Sequence, residues 1–310
     1  PDHSRMIYPC HVARKVPKSE FTKPEVVKAI AAEREKHRNA PWPKCPKRNP
    51  TGKGKGTWDI KSMMPREKLI RECRQKGKTI HLARVHAMCY EKGSELPEGD
   101  AERKFRARSV LLGDNVTDTW FQEAEMEGLG SAPPSMEDSR VLDASSLQPG
   151  YEVTVSDADS AYLQAFCDST VEVWVELPYE YWEDSWKTDP NLVRPMVRLV
   201  LALYGHADSG GYWERKSYGD LAECGWIVAP ERRGVFYKKA EHGIAWLMVY
   251  VDDFKMSSHK KDTANLWRPI RERIRMADPA PSARFLGCYS RRFTAPVSTF
   301  AALLGQMPKQ

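Results

Sequence analysis

The run from Ile244 to Val251 (Ile-Ala-Trp-Leu-Met-Val-Tyr-Val) stops abruptly at Asp252-Asp253, and Phe254-Lys255-Met256 follows at once. Eight residues this apolar read as a strand, and the short return after them makes a hairpin with two carboxylates at its tip. Adjacent carboxylates there repel each other, at a cost that a bound divalent cation would remove. An exposed Asp-Asp turn is the plain alternative; the unusually apolar strand that delivers the pair argues against it. A second acidic strand end is Asp157-Ala158-Asp159, after an alternating stretch over 151–156. If the two strands are neighbours in one sheet, Asp157 and Asp252 meet at their ends. Hard oxygen ligands with room left for phosphates and water describe a magnesium site for phosphoryl transfer.

Around this centre the pattern is mixed. Thr22-Lys23-Pro24-Glu25 reads as a helix start, with Thr22 as N-cap, Pro24 in the first turn and Glu25 in the capping-box position, ending before Pro41. Residues 41–56, rich in Pro, Gly and Lys, read as a linker or mobile loop, and 128–149 as a small-residue loop. Short helices are predicted over 65–75, from about 159, over 212–224 and over 263–276. Strands are predicted over 79–90, 104–112, 151–156, 171–177, 234–238 and 244–251, the last two paired. Strands outnumber helices without strict alternation, which predicts an α+β fold: an antiparallel sheet with helices on one face.

At 310 residues the chain is long enough for about two domains, or one with an extension. Ten Trp, 12 Tyr and 9 Phe supply a sizeable core. No apolar run approaches the ~18 residues of a membrane helix, and the first residues hold no apolar signal-peptide core. A first residue other than Met points to a fragment. Seven cysteines without a CxxC pair predict reduced thiols, so a cytoplasmic or nuclear protein, neither secreted nor membrane-bound, is expected. Residues 1–80 carry 21 Lys+Arg against 8 Asp+Glu, and the remainder 27 against 34. That asymmetry suits a polyanion-binding arm on an enzyme body, or equally a solvated leader.

Five segments, in order, resemble the reverse transcriptase of copia-type LTR retrotransposons. Lys104-Phe105-Arg106-Ala107-Arg108-Ser109-Val110 is similar to K-A-R-L-V, and Asp157-Ala158-Asp159-Ser160-Ala161-Tyr162-Leu163 to D-V-K-T-A-F-L. Leu203-Tyr204-Gly205 with Trp213 resembles L-Y-G-L-K-Q-x-P-R-x-W, and Tyr250 to Asp253 spells Y-V-D-D. Met276-Ala277-Asp278 with Phe285-Leu286-Gly287 resembles M-K-D-L-G-x-A-x-Y-F-L-G. The resemblance covers about residues 79–287. It implies a right-hand polymerase palm with fingers over 79–290, preceded by a basic N-terminal extension (1–78) and followed by an unassigned tail (291–310).

The resemblance further implies that Asp157, Asp252 and Asp253 are the catalytic carboxylates, holding two Mg²⁺ ions, with Mn²⁺ as a substitute. Arg106 and Arg108 would grip the triphosphate, with Lys104 a weaker candidate in the same strand. Tyr162 would place a flat ring against the sugar and disfavour a 2′-hydroxyl; simple core packing is its other reading. Tyr250 completes the acidic box. The implied partners are an RNA or DNA template–primer duplex, deoxynucleoside triphosphates and other parts of a Pol polyprotein. Departures from the pattern are Asp208 in place of Gln, Gly210-Gly211 in place of Pro-Arg, and Asp159 in place of Lys. They motivate a second expectation: an inactive, decayed or co-opted nucleic-acid-binding remnant.

Overall fold

The computed structural model describes residues 13–131 and 133–290, with Thr294 and Pro296. The predicted tail over 291–310 otherwise lies outside the described residues, as do residues 1–12 of the basic N-terminal stretch. The described chain is α+β and divides into two compact units, one holding residues 13–131 and 160–220, the other 133–159 and 221–290.

In chain order the first unit opens with β1 (Ala13–Lys15), α1 (Pro24–Asn39), β2 (Trp58–Pro65), α2 (Arg66–Gln75), β3 (His81–Lys92), β4 (Lys104–Leu111) and β5 (Thr117–Asp118). The second begins with α3 (Met136–Ser145) and β6 (Tyr151–Asp157). The chain returns to the first for β7 (Val173–Glu176), α4 (Asp184–Lys187), β8 (Pro195–Leu199) and α5 (Ser209–Glu223). The remaining elements are β9 (Ile227–Val228), β10 (Val235–Ala240), β11 (Gly243–Tyr250), β12 (Asp253–His259), α6 (Lys260–Arg273), β13 (Ala280–Pro281), β14 (Arg284–Phe285) and β15 (Cys288–Tyr289).

The first unit is built on a mixed sheet in the order β1-β3-β7-β8-β2, with β4 and β5 also on β3. Pairing is antiparallel except between β3 and β7. Its core takes in Val16, Val26, Ile30 and Trp58 together with Val85, Leu111, Val175, Val197 and Leu203. Residues 13–78 are therefore not an extension. Most of the positive charge of this stretch sits on exposed positions, while apolar residues such as Val16, Val26, Ile30 and Trp58 face inward: β2 pairs with β8, and His37 of α1 is buried in a stack on Trp58 with ring centroids 5.0 Å apart. The residues expected to form a linker, 41–56, fold back on themselves. Asn49 donates to the Trp42 and Pro43 carbonyls and accepts from the Gly54 amide, and Trp42 Nε1 donates to the Gly56 carbonyl. A side chain at Gly54 would strike the Trp42 ring.

Helix α1 starts one residue later than predicted. Lys23 is its N-cap and no side chain caps it, because Pro24 takes the first helical position, where its fixed φ fits and no amide is needed. The helix expected from about 159 is a single 3₁₀ turn, Ala161–Gln164. The backbone after it is bonded instead to residues 200–202, through Cys167 N–H to the Val200 carbonyl and Ala202 N–H to the Ala165 carbonyl.

The second unit holds an antiparallel sheet in the order β13-β6-β12-β11-β10-β9. Helices cover both faces rather than the one expected. α6 lies on the face of Thr154 and Ser258, where Trp267 Nε1 donates to Thr154 Oγ1 and Thr263 bonds Ser258. α3 lies on the opposite face, where Ser145 bonds Ser257 and the buried Lys255 ammonium reaches Asp143 (2.8 Å) and Ser139 Oγ (2.9 Å). α3 falls in the stretch read as a loop. Its start is nonetheless a full capping box, Ser135 and Asp138 bonding each other's amides. Among the described residues no helix is long and apolar enough to cross a membrane, and none of the cysteines is disulfide-bonded.

Candidate functional site

Asp157, Asp252 and Asp253 come together in the second unit. β11 and β12 form a hairpin in which Tyr250 pairs with Asp253, leaving Val251-Asp252 as a two-residue turn. Such turns need positive φ, ordinarily from Gly or Asn. Here Val251 takes φ 57°, a strained conformation for a β-branched residue. β12 pairs with β6 so that Asp253 lies directly opposite Asp157, and the Ala158 amide donates to the Asp252 carbonyl at 2.7 Å. Met276 and Ala277 back this edge: Ala277 N–H donates to the Asp157 carbonyl, Ser156 Oγ to the Ala277 carbonyl, and Met276 bridges Ala158.

The electrostatics follow from that register. Burial pushes the Asp253 carboxyl up to about 7, helped by a hydrogen bond with Asp157 and by the negative charges of Asp252 and Asp157. Each of these influences disfavours its charge. Carboxylates held this close are stable when they share a proton or a cation. Asp157 and Asp253 are hydrogen-bonded, and Asp252 acts on Asp253 through its charge alone; the oxygen donors are of the type that Mg²⁺ or Mn²⁺ takes, without being drawn together around a common point. Tyr250 is half-buried and packs beside Met248, Val235 and Leu142.

The other sequence candidates lie in the first unit. Alternation along β4 puts Lys104, Arg106 and Arg108 on one exposed face. Arg106 pairs with Tyr90 and Arg108 with Met88 of β3, so Arg84, His86 and Lys92 share that face. Burial first, then Lys18, Arg84 and Lys15, hold the His86 imidazole below its usual pKa, as expected on a basic surface. The Arg108 guanidinium stands 5.7 Å from the Tyr204 ring centre, and the Tyr204 ring lies 4.5 Å from that of Tyr162. Tyr204 thus links two candidates far apart in sequence.

Asp208 does not belong to an open site. It is 1% exposed, and its two carboxylate oxygens accept the amides of Glu127 (3.0 Å) and Leu129 (2.8 Å). The loop it holds presses on the start of α5: a Cβ on Gly211 would come within 2.6 Å of the Leu129 carbonyl oxygen, and one on Gly210 within 2.8 Å of Ser131 Oγ. Asp208, Gly210 and Gly211 are one local solution, in which the carboxylate anchors a loop that leaves no room for side chains beneath it. Asp208→Ala is expected to cost about 1–3 kcal/mol, since it removes the buried carboxylate that two part-buried loop amides donate to, read as a fall in the urea midpoint. An unchanged midpoint would count against the anchoring role.

The sequence did not disclose a second cationic region, also in the first unit. Arg66, Arg84 and Arg194 line a cleft around the single carboxylate of Glu176. Arg194 lies 2.6 Å and Arg84 3.6 Å from it. Next to Arg66, Trp120 and Phe121 are each half exposed, with Arg66 and Arg74 stacked over Phe121 at 5.3 and 4.8 Å and Arg74 over Trp120 at 5.3 Å. Arginines interleaved with exposed rings can hold phosphates and stack bases. The elements that build this region are separated in sequence, so only the fold collects it. No family model matches this chain, and no curated protein matches it significantly.

Proposed function

We propose that this chain is the palm and fingers of an RNA-directed DNA polymerase of the copia type, adding deoxynucleotides to a primer 3′-hydroxyl. The observation that carries the reading is the register of β6, β12 and the β11–β12 turn, which gathers Asp157, Asp252 and Asp253 from two distant acidic strand ends. The strained Val251 at that tip and the suppressed ionisation of Asp253 support it, since both are costs that a functional site explains.

In this reading Asp157, Asp252 and Asp253 hold two Mg²⁺ ions. When bound, these would lower the pKa of the primer hydroxyl and neutralise charge on the departing pyrophosphate. The three carboxylates fix where that chemistry occurs, and positioning supplies much of the rate. Arg106 and Arg108 bind the triphosphate through forked, permanently charged groups. Tyr162, braced by Tyr204, excludes a ribose 2′-hydroxyl. The exposed basic face of β4 and β3 and the arginine–aromatic region suit a nucleic-acid backbone and unpaired bases, with sequence-tolerant, salt-sensitive contacts.

The same surfaces favour one other reading, a nucleic-acid-binding protein without polymerase activity. Simple decay has less support, because Asp208, Gly210 and Gly211 fit one another closely. Primer extension on a primed RNA template separates the two. Extension with Mg²⁺ that is lost in EDTA and in Asp157→Asn is the expected result. Tight duplex binding without extension by the parent protein, in Mg²⁺ or Mn²⁺, would overturn the polymerase and leave the binding protein.

A further inference from the structure

At the other end of the strands that deliver the carboxylates lies a cluster with different chemistry. His242 sits in the two-residue turn between β10 and β11, since Ala240 pairs with Gly243. His259 ends β12 and is the N-cap of α6, where its Nδ1 accepts the Lys261 amide at 3.3 Å. Asp262 lies in the first turn of α6 and is 5% exposed. Its Oδ2 accepts the His242 backbone amide at 2.9 Å, and its Oδ1 meets His242 Nδ1 at 2.7 Å. The two imidazoles are stacked nearly parallel, with centroids 4.8 Å apart and planes 12° from parallel. One ligand-capable atom from each of the three residues lies within 4.8 Å of the others.

The plain account is that Asp262 ties down the turn by bonding His242. His259 has its own local role as the cap of α6, with its ring edge-on to Tyr151, but neither accounts for that ring lying over His242. His259 stacks on His242, and the ring is accommodated because residue 150 is glycine: a Cβ there would come 2.3 Å from His259 Nε2. Two imidazoles and one carboxylate from three separate segments are a ligand set of borderline softness, matched to Zn²⁺ and its neighbours rather than to Mg²⁺. Ligands on a tetrahedral ion with metal–ligand distances of about 2.0–2.2 Å stand roughly 3.3 Å apart, and imidazole lone pairs lie in the ring plane, so the exposed His242 ring would turn out of the stack to close the cluster around one ion. His242 is on the exposed side, which leaves the fourth position to water.

We propose that His242, His259 and Asp262 form a site for a d-block divalent cation, Zn²⁺ foremost, that staples the β10–β11 turn to the start of α6. Its role is structural: it braces the far end of β11 and β12. It does not rest on the polymerase reading, and it is separate from the oxygen-only carboxylate cluster.

The test is titration of the purified chain carrying Asp252→Asn and Asp253→Asn, which disables the carboxylate cluster, with Co²⁺ as a spectroscopic stand-in for Zn²⁺. One equivalent should bind in the micromolar range with the visible absorption of a four-coordinate site, Zn²⁺ should displace it, and millimolar Mg²⁺ should not. His242→Ala should weaken binding by at least about tenfold. His259→Asn, which keeps a capping side chain, should do the same, and Zn²⁺ should raise the melting temperature of the parent alone. Uptake no stronger than millimolar, or uptake unchanged in both histidine variants, would overturn the site. His242 lies in an exposed turn, so its variant keeps the test valid even if His259 variants fold poorly.

Discussion

Asp253→Asn is expected to make the metal-free protein more stable and, in the same molecule, to lower primer extension by about a thousandfold or more. Asp253 pairs directly with Asp157, adjoins Asp252 and is half-buried, and every recorded influence pushes its carboxyl upward, to about 7. The folded protein therefore retains a proton that the unfolded chain, with an aspartate pKa of about 3.9, releases. Between roughly pH 4 and 7 the native state binds more protons than the unfolded one. Stability therefore falls as pH rises through that window and levels off above it.

Asparagine has no such charge, so the variant should lose this slope. Each pKa unit is worth about 1.4 kcal/mol, and partial exposure screens much of the shift. A gain of about 1–2 kcal/mol at pH 8, vanishing at pH 4, is expected from urea melts in EDTA. Mg²⁺ should stabilise the parent at pH 8 and do much less for the variant. Parallel pH profiles for the two proteins would show that Asp253 is not under this stress. A cluster that destabilises the empty fold and is relieved by a cation is what selection for activity rather than stability would leave.

Much of the second unit was legible in its residues, because the signals there are short-range. The apolar run at 244–251 needs only its own composition to be a strand, which ends at Tyr250, and the turn expected at Asp252-Asp253 falls one residue earlier, on Val251-Asp252. The expected meeting was of Asp157 with Asp252 on neighbouring strands; the register instead sets Asp253, at the start of the return strand, opposite Asp157, because β12 lies between β6 and β11. Long-range packing was less legible. Residues 13–78 are highly charged, and composition cannot distinguish a solvated leader from a chain that buries a few residues such as Val26, Ile30, His37 and Trp58 in a sheet assembled later. α3 was hidden by the Gly, Ser and Pro around it, although Ser135 and Asp138 spelled its cap. Asp208 looked like a charge in a binding position because its partners, the amides of Glu127 and Leu129, are backbone groups that carry no sequence signal. The His242–His259–Asp262 cluster escaped notice because its geometry depends on a hairpin and a helix start meeting.

Gly205→Ala should be among the most damaging single substitutions in the first unit, at about 3–5 kcal/mol. Gly205 has φ 91°, a region L-residues avoid. Conformation alone would account for only about 1–2 kcal/mol. The larger part is steric. A Cβ there would lie 1.9 Å from the Leu111 carbonyl oxygen and 2.8 Å from Val110 Cγ1. The obstacle is mostly backbone at the end of β4, which cannot rotate aside. Moving it would break the bond from Leu111 N–H to the Tyr204 carbonyl, 2.8 Å, and disturb Leu203 and Leu111, both essentially fully buried. Gly77→Ala is the matched control, with φ 59° and nothing within 4 Å of the added carbon, so it carries the conformational cost alone. Urea denaturation should separate the two variants by at least about 2 kcal/mol, and equal costs would mean that β4 yields where the packing says it is fixed. The same contact holds Tyr204 between Arg108 and Tyr162, so on the proposed polymerase reading a milder change there should loosen nucleotide binding before the fold is lost.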